Sequence, residues 1–231
     1  MPWAILGLPA GTTGQQGAHE TQPPPGGTER GTERIEAFSD GVFAIAITLL
    51  ILEIKVPKIE GSDLLAILLN LWPSYFASVL SFVMIGIYWA NHHYVFKLYQ
   101  KTNHALNLLN LLFLLFIAFL PLPTEILGEY MLDKANQTTA ATLYAVGLLL
   151  PAATWLLMWL YATREHRLVD RHLDSGSLRR LTLQYLGSVV LYLSAVVVSL
   201  IDFRWGLAIC VGLTCLYLLP PKSPVYTPEG P

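Results

Sequence analysis

Six apolar stretches, separated by short polar connections, organise the chain between about residues 35 and 220. They run roughly from Ile35 to Ile54, Leu64 to Asn91, Ala105 to Thr124, Ala140 to Tyr161, Leu181 to Ile201 and Trp205 to Pro220. At about 1.5 Å per residue each is long enough to approach the roughly 30 Å of hydrocarbon in a bilayer. The pattern predicts an all-α fold, a polytopic membrane protein with six transmembrane helices. Pro73 and Pro151 fall inside the second and fourth stretches and predict kinks, because proline removes a ladder donor. Trp72, Trp89, Trp205 and Tyr217 stand near stretch ends, where aromatic side chains favour the membrane interface.

Composition removes the other classes. Hydrophobic residues make up 54% of the 231 and charged ones 13%, about half the usual charged quarter. A soluble enzyme of this size needs a charged shell that 14 basic and 16 acidic side chains do not supply. A net charge of −2 leaves no basic footprint for nucleic acid. Cys210 and Cys215 lie five apart in an apolar run, which is neither a disulfide framework nor a metal-binding pair.

Lysine and arginine set the orientation. With six spans, one side carries Arg30, Arg34, Lys97, Lys101, Arg164, Arg167, Arg171, Arg179, Arg180 and Lys222; the other carries Lys55, Lys58, Lys134 and Arg204. Basic loops stay inside, so both termini are expected in the cytoplasm. Residues 1–31, rich in glycine, proline, threonine and glutamine, read as a disordered cytoplasmic tail. They precede a six-helix transmembrane domain over 32–220, and 221–231 are expected to form a short cytoplasmic tail. The early apolar patch lacks a positive leader, so no signal peptide is expected. The loop bearing Arg164, Arg167, Arg171, Arg179 and Arg180 suits an anionic leaflet, and a regulatory lipid or partner site there is a second reading.

Chemistry concentrates in the first span. Arg34, Glu36, Ser39 and Asp40 open an otherwise aliphatic helix. Ionisable groups inside a span mark function because dehydrating them is expensive; headgroup placement is the plain alternative. The Asp40-Gly41 pair is turn-like, yet a helix starting at Gly41 would be short, so a helix from Thr32 as N-cap is expected. On an ideal wheel Ile45, Thr48, Leu49 and Leu52 form one stripe, while Asp40 and Ser39 lie about 140° and 120° round from Ile45. Arg34 and Phe38 fall within about 20° of the Ile45 side. Periodicity alone makes this stripe a packing face.

Arg34-x-x-x-Phe38-Ser39-Asp40 resembles the opening signature of the transmembrane protein 175 family, endosomal and lysosomal potassium channels with prokaryotic relatives. The likeness extends through Trp89-Ala-Asn-His92-His93, then Asn107, Asn110 and Leu120-Pro-Leu-Pro-Thr. The resemblance implies a single-repeat prokaryotic member, assembled as a homotetramer around a pore lined by the first span and conducting potassium modestly over sodium. It implies Ile45 as the narrowest hydrophobic ring, Leu49 and Leu52 as further rings, and Thr48 as a contributor to selectivity. Asp40 and Ser39 would meet the His92, Asn107 and Asn110 region, and this network would hold the pore helix in rotation. No TVGYG-type filter occurs in the sequence. Potassium ions, further copies of the chain and membrane lipids are the expected partners, in a prokaryotic cell membrane.

Two rivals are weaker. His92, His93, His104, His166 and His172, with Asp170, show no metalloenzyme spacing, so neither catalysis nor a cofactor or metal is expected. A proton- or cation-coupled secondary transporter would use Asp40 as a relay, but no inverted repeat accompanies it.

Overall fold

The computed structural model describes residues 32–57, 63–170 and 173–219. The expected tails, and Lys58, Arg171, His172 and Lys222 with them, lie outside the described residues. Among the described residues eight α-helices follow one another: α1 (Glu33–Leu52), α2 (Leu64–Asn70), α3 (Trp72–Phe96), α4 (His104–Phe119), α5 (Pro121–Tyr130), α6 (Gln137–Thr163), α7 (Ser175–Ile201) and α8 (Phe203–Tyr217). Among the described residues five segments are long and apolar enough to cross a membrane: α1, α3, α4 with α5, α6 with the turn after it, and α7. The sixth apolar helix, α8, has only 15 residues.

Proline explains where the helices differ from the expected stretches. The second stretch is two helices, broken at Leu71, and α3 runs on to Phe96. Pro73 cannot donate to the carbonyl of Leu69, so it fits the first turn of a new helix better than the interior of an old one. The third extends to Tyr130, with Pro121 and Pro123 in the first turn of α5. Pro151 behaves differently, and α6 continues through it. Just beyond it, the Thr154 hydroxyl bonds the carbonyls of Leu150 and Pro151, both at 3.0 Å.

Helix α6 is the centre of the bundle, touching α4, α5, α7 and α8. Its Tyr144, Leu148, Met158 and Trp159 are fully buried. Between spans, Gln100 N–H donates to the Leu168 carbonyl at 2.9 Å, and Tyr99 and Val169 form an isolated antiparallel bridge. Arg167 lies over the Tyr161 ring, 4.7 Å from its centroid, and Asn103 Nδ2 donates to the Tyr161 hydroxyl at 2.9 Å. These contacts tie the α3–α4 connection to the basic loop after α6. At the opposite end, Lys55 pairs with Glu125, which holds the Lys55 ammonium above its usual range.

Helix α1 sits at the margin, against α3, α4 and α5. Only Ser39, Phe43, Ala46 and Leu50 are buried along it. That spacing of four, three and four is one helical face.

Candidate functional site

The start of α1 places the polar motif. Ile35 N–H and Glu36 N–H donate to the Thr32 carbonyl at 2.9 and 3.0 Å. Thr32 is the N-cap, as expected, although its dihedrals are already helical and its side chain makes no capping bond. Glu33 and Glu36 occupy the first turn, where the helix dipole favours negative charge. No break occurs at Asp40-Gly41.

Burial divides α1 as the wheel does. Phe43 and Leu50 are 1% and 2% exposed, whereas Ile45 and Leu52 are 61% and 69% exposed. Thr48 and Leu49 are exposed as well. An aliphatic stripe bearing one hydroxyl is therefore left without a partner in the subunit. The Thr48 hydroxyl donates within its own helix, to Ala44 O at 3.0 Å or Ile45 O at 2.9 Å. Its proton is engaged, and its oxygen retains a lone pair toward the open side.

Behind the stripe lies a closed polar relay. The Ser39 hydroxyl donates to the Ile35 carbonyl at 2.8 Å. With that proton committed, Ser39 Oγ accepts from Asn110 Nδ2 at 3.0 Å. The Asn110 carbonyl is then the group facing His92 Nε2 at 3.0 Å, so Nε2 must carry the imidazole proton. Ser39, His92 and Asn110 are all essentially inaccessible. Aromatic rings enclose the imidazole: Phe96 stacks on it at 4.1 Å, and Phe43 meets it edge-on at 5.6 Å. This relay joins α1, α3 and α4 at one depth.

The structure separates the rest of the motif from it. Asp40 does not join Ser39. Its carboxylate is exposed and accepts from Trp89 Nε1 at 2.9 Å. Adjacent helical residues diverge by about 100°, so Ser39 and Asp40 cannot serve the same neighbours. Trp89 is thus the partner that residue reasoning missed, although the wheel separation was its signal. Asn107 also stays outside the relay, with its buried Oδ1 lacking a hydrogen-bond partner. Arg34 and Phe38 line a groove with Thr102, Asn107 and Leu111 between α1 and α4. Arg34 has no ion-pair partner among the described residues and does not reach round to Asp40. Glu36 instead approaches His93 Nδ1 at 3.6 Å. No group of His, Cys or acidic side chains able to hold a metal occurs among the described residues.

Long apolar helices packed round a shared core, with one helix held by a buried relay and bare on its outer face, define a multi-pass integral membrane protein. Residues 34–121 match the family model described as endosomal/lysosomal potassium channel TMEM175. A potassium channel of Chamaesiphon minutus is 41% identical over 191 residues, covering 81% of this chain and 94% of its own length. A potassium channel of Streptomyces collinus is 41% identical over 198 residues, covering 85% and 96%. The crystal structure of a lysosomal potassium-selective channel TMEM175 homolog from Chamaesiphon minutus superposes with a TM-score of 0.73 at 39% identity, covering 81% of this chain and 96% of that one. The chain belongs to the TMEM175 family.

Proposed function

We propose that the protein is a passive potassium channel of a prokaryotic cell membrane, a homotetramer whose four α1 helices line one pore, with both termini cytoplasmic. The observation that carries this reading is the bare face of α1. Ile45, Thr48, Leu49 and Leu52 are exposed together, while the opposite face of the same helix is buried. Four copies turned inward would make successive aliphatic rings, narrowest at Ile45, with the Thr48 oxygens beside them.

Such a ring discriminates by dehydration. A cation passing Ile45 sheds water that hydrocarbon cannot replace, and sodium holds its water more tightly than potassium. Potassium is therefore favoured, more modestly than by a carbonyl filter, and a dry ring also gates conduction. The relay of Ser39, Asn110 and His92 fixes the rotation of α1 so that Ile45 rather than Ala46 faces the axis. Arg34, Phe38 and Asp40 support the same helix from its margins.

The test is Ile45→Asn in liposomes under a potassium/sodium gradient. An amide at the ring admits water, so the reversal potential should shift toward that of a non-selective pore. Unchanged reversal potentials would remove Ile45 from the constriction. Discrete single-channel steps are expected from the native protein; slow saturable exchange would put a secondary transporter in the channel's place.

A further inference from the structure

Helix α8 stops short of its neighbour's far end. Its last residue, Tyr217, reaches only Ser188 at the midpoint of α7. There the Ser188 hydroxyl donates to the Gln184 carbonyl at 2.9 Å and accepts from the Tyr217 hydroxyl. Among the described residues no helix continues α8 past that point, which leaves a notch between α3 and the first half of α7, floored by α6. Tyr88 and Asn91 of α3, Trp155 of α6, and Gln184, Ser188 and Tyr192 of α7 line it. Such polarity is unusual in the outer wall of a membrane bundle, where an unpaired polar group is costly. The Gln184 side chain is exposed, and its amide makes no hydrogen bond among the described residues. Deeper in, Tyr192 is 1% exposed, yet its hydroxyl has only the Met84 sulfur, at 3.7 Å. Tyr88, also buried, reaches the Leu148 carbonyl at 3.5 Å. A thioether is a weak acceptor and the second contact is long, so both phenols have donor capacity left for a guest.

Size and surroundings narrow that guest. The notch holds about 50 Å³, room for a few water-sized groups at about 10–15 Å³ each. That is far below the roughly 300 Å³ at which sites for whole small molecules begin. Through Ile87, Asn91 and Tyr217 the notch runs into a larger groove of about 440 Å³ between α3 and the end of α8. Phe82, Val83, Gly86, Ala90, Leu218 and Leu219 line the groove and make it apolar. On the other side of the notch, Arg180 stands one turn before Gln184 and about 40° round α7 from it. Arg180 is exposed and has no ion-pair partner among the described residues. Arg179 points about 140° away from Gln184. A cation, a set of donors and a long apolar trough thus follow one another along one wall. Phosphate, ester carbonyl and acyl chain follow one another in the same order along a phospholipid.

We propose that the notch binds one anionic phospholipid per chain, drawn from the leaflet beside the basic loops. Its phosphate sits at Arg180, and an ester carbonyl accepts from the Gln184 amide. Water bridges that carbonyl to the Tyr88 and Tyr192 hydroxyls, and one acyl chain fills the groove between α3 and α8. The lipid completes the wall that α8 leaves unfinished. No residue of α1 takes part, so the site stands apart from the pore proposed above and does not depend on it.

The test places the full-length protein in nanodiscs of equal phosphatidylglycerol and phosphatidylcholine. Native mass spectrometry then counts the lipids retained per chain, and circular dichroism reports helicity. The native chain should keep one phosphatidylglycerol in preference to phosphatidylcholine. Arg180→Gln, which removes a charged hydrogen bond, should lower that retention about tenfold, and Gln184→Leu, which removes a neutral one, about fivefold. A Cβ at Gly86 would meet nothing within 4 Å, so Gly86→Leu puts a side chain into the groove without disturbing its own chain and should displace the lipid with helicity retained. Arg179→Gln should leave retention as it is. If Gln184→Leu and Gly86→Leu both keep the native lipid count, water, detergent or a second copy of this chain fills the notch and the proposal fails. If Arg179→Gln costs as much as Arg180→Gln, diffuse surface charge holds the lipid and the notch does not. Equal retention of phosphatidylcholine would overturn the role given to Arg180.

Discussion

Asn110 offers the sharpest test of how α1 is held. It is 1% exposed and uses both ends of its amide, accepting from His92 and donating to Ser39. Asn110→Leu keeps the branched shape and the number of heavy atoms, at a somewhat larger volume, and removes both bonds. His92 then keeps a buried N–H with no partner, a penalty of about 1–3 kcal/mol, and Ser39 loses an accepted bond of about 1 kcal/mol. Interhelical hydrogen bonds within membranes average nearer 0.6 kcal/mol, because the unfolded chain also finds partners in the bilayer. The leucine methyls recover some apolar packing. The balance is a loss of about 2 kcal/mol, roughly a thirtyfold fall in the folded-to-unfolded ratio. Unfolding with increasing SDS in mixed micelles, at one protein concentration, measures it. Ser39→Ala alone should cost about 1 kcal/mol. Because the two variants share one bond, the pair together should cost less than the sum by about 0.6 kcal/mol or more. An Asn110→Leu protein as stable as the native one, or strictly additive single losses, would refute the relay as a load shared among α1, α3 and α4.

Gly206 stands where α8 turns back on α7, and a Cβ there would lie 2.4 Å from Ser199 Cβ and 2.7 Å from its backbone Cα. Gly206→Ala should therefore destabilise by about 1–3 kcal/mol, whereas Gly212→Ala, with open space around it, should be neutral or gain up to about 1 kcal/mol of helix propensity; melting temperatures of the two compared with the native chain decide it. Before α6, Asp133 accepts from Ala135 N–H at 3.0 Å and Asn136 Nδ2 at 2.6 Å, which holds its carboxyl below the usual range. A depressed carboxyl stabilises the folded state above its unfolded value of about 3.9 and loses that contribution as pH falls through the lower folded value. The melting difference between native protein and Asp133→Ala should accordingly be constant near neutrality and vanish in acid; a difference that grows as pH falls would contradict the sign.

Much of this architecture is written in the order of residues. Hydropathy locates the membrane segments because lipid demands long apolar helices and tolerates little else. The α1 stripe follows from helical period alone, and Ile45, Thr48, Leu49 and Leu52 do share one exposed side. Ser39, His92 and Asn110 come together as the motif suggested. What escaped was direction at finer grain. Asp40 and Ser39 are neighbours in sequence, yet 100° of rotation sends one to Trp89 and the other to Asn110. Asn107 sits one turn from Asn110 and still makes no bond through Oδ1, since membership of a motif does not set side-chain geometry. Leu71 is a helix break that Pro73 signals but does not locate, because proline is accepted at several positions of a first turn.

The unequal hairpin at the end of the chain bears on where such a protein can reside. Helix α7 has 27 residues, about 40 Å of rise, and α8 has 15, about 22 Å. The shorter arm falls below the roughly 30 Å of an average hydrocarbon slab. Leu216, Leu218 and Leu219 lie exposed at its end and extend the apolar surface slightly. Were α8 to cross the bilayer, the lipid around it would have to thin to meet it, at a fraction of a kcal/mol per ångström of mismatch. Acyl-chain length would then become a mechanical variable, acting on the α7–α8 hairpin and, through its contacts with α6, on the bundle. Thin bilayers would relieve that tension and thick ones raise it, so lipid composition would act on this protein as a force as well as a solvent.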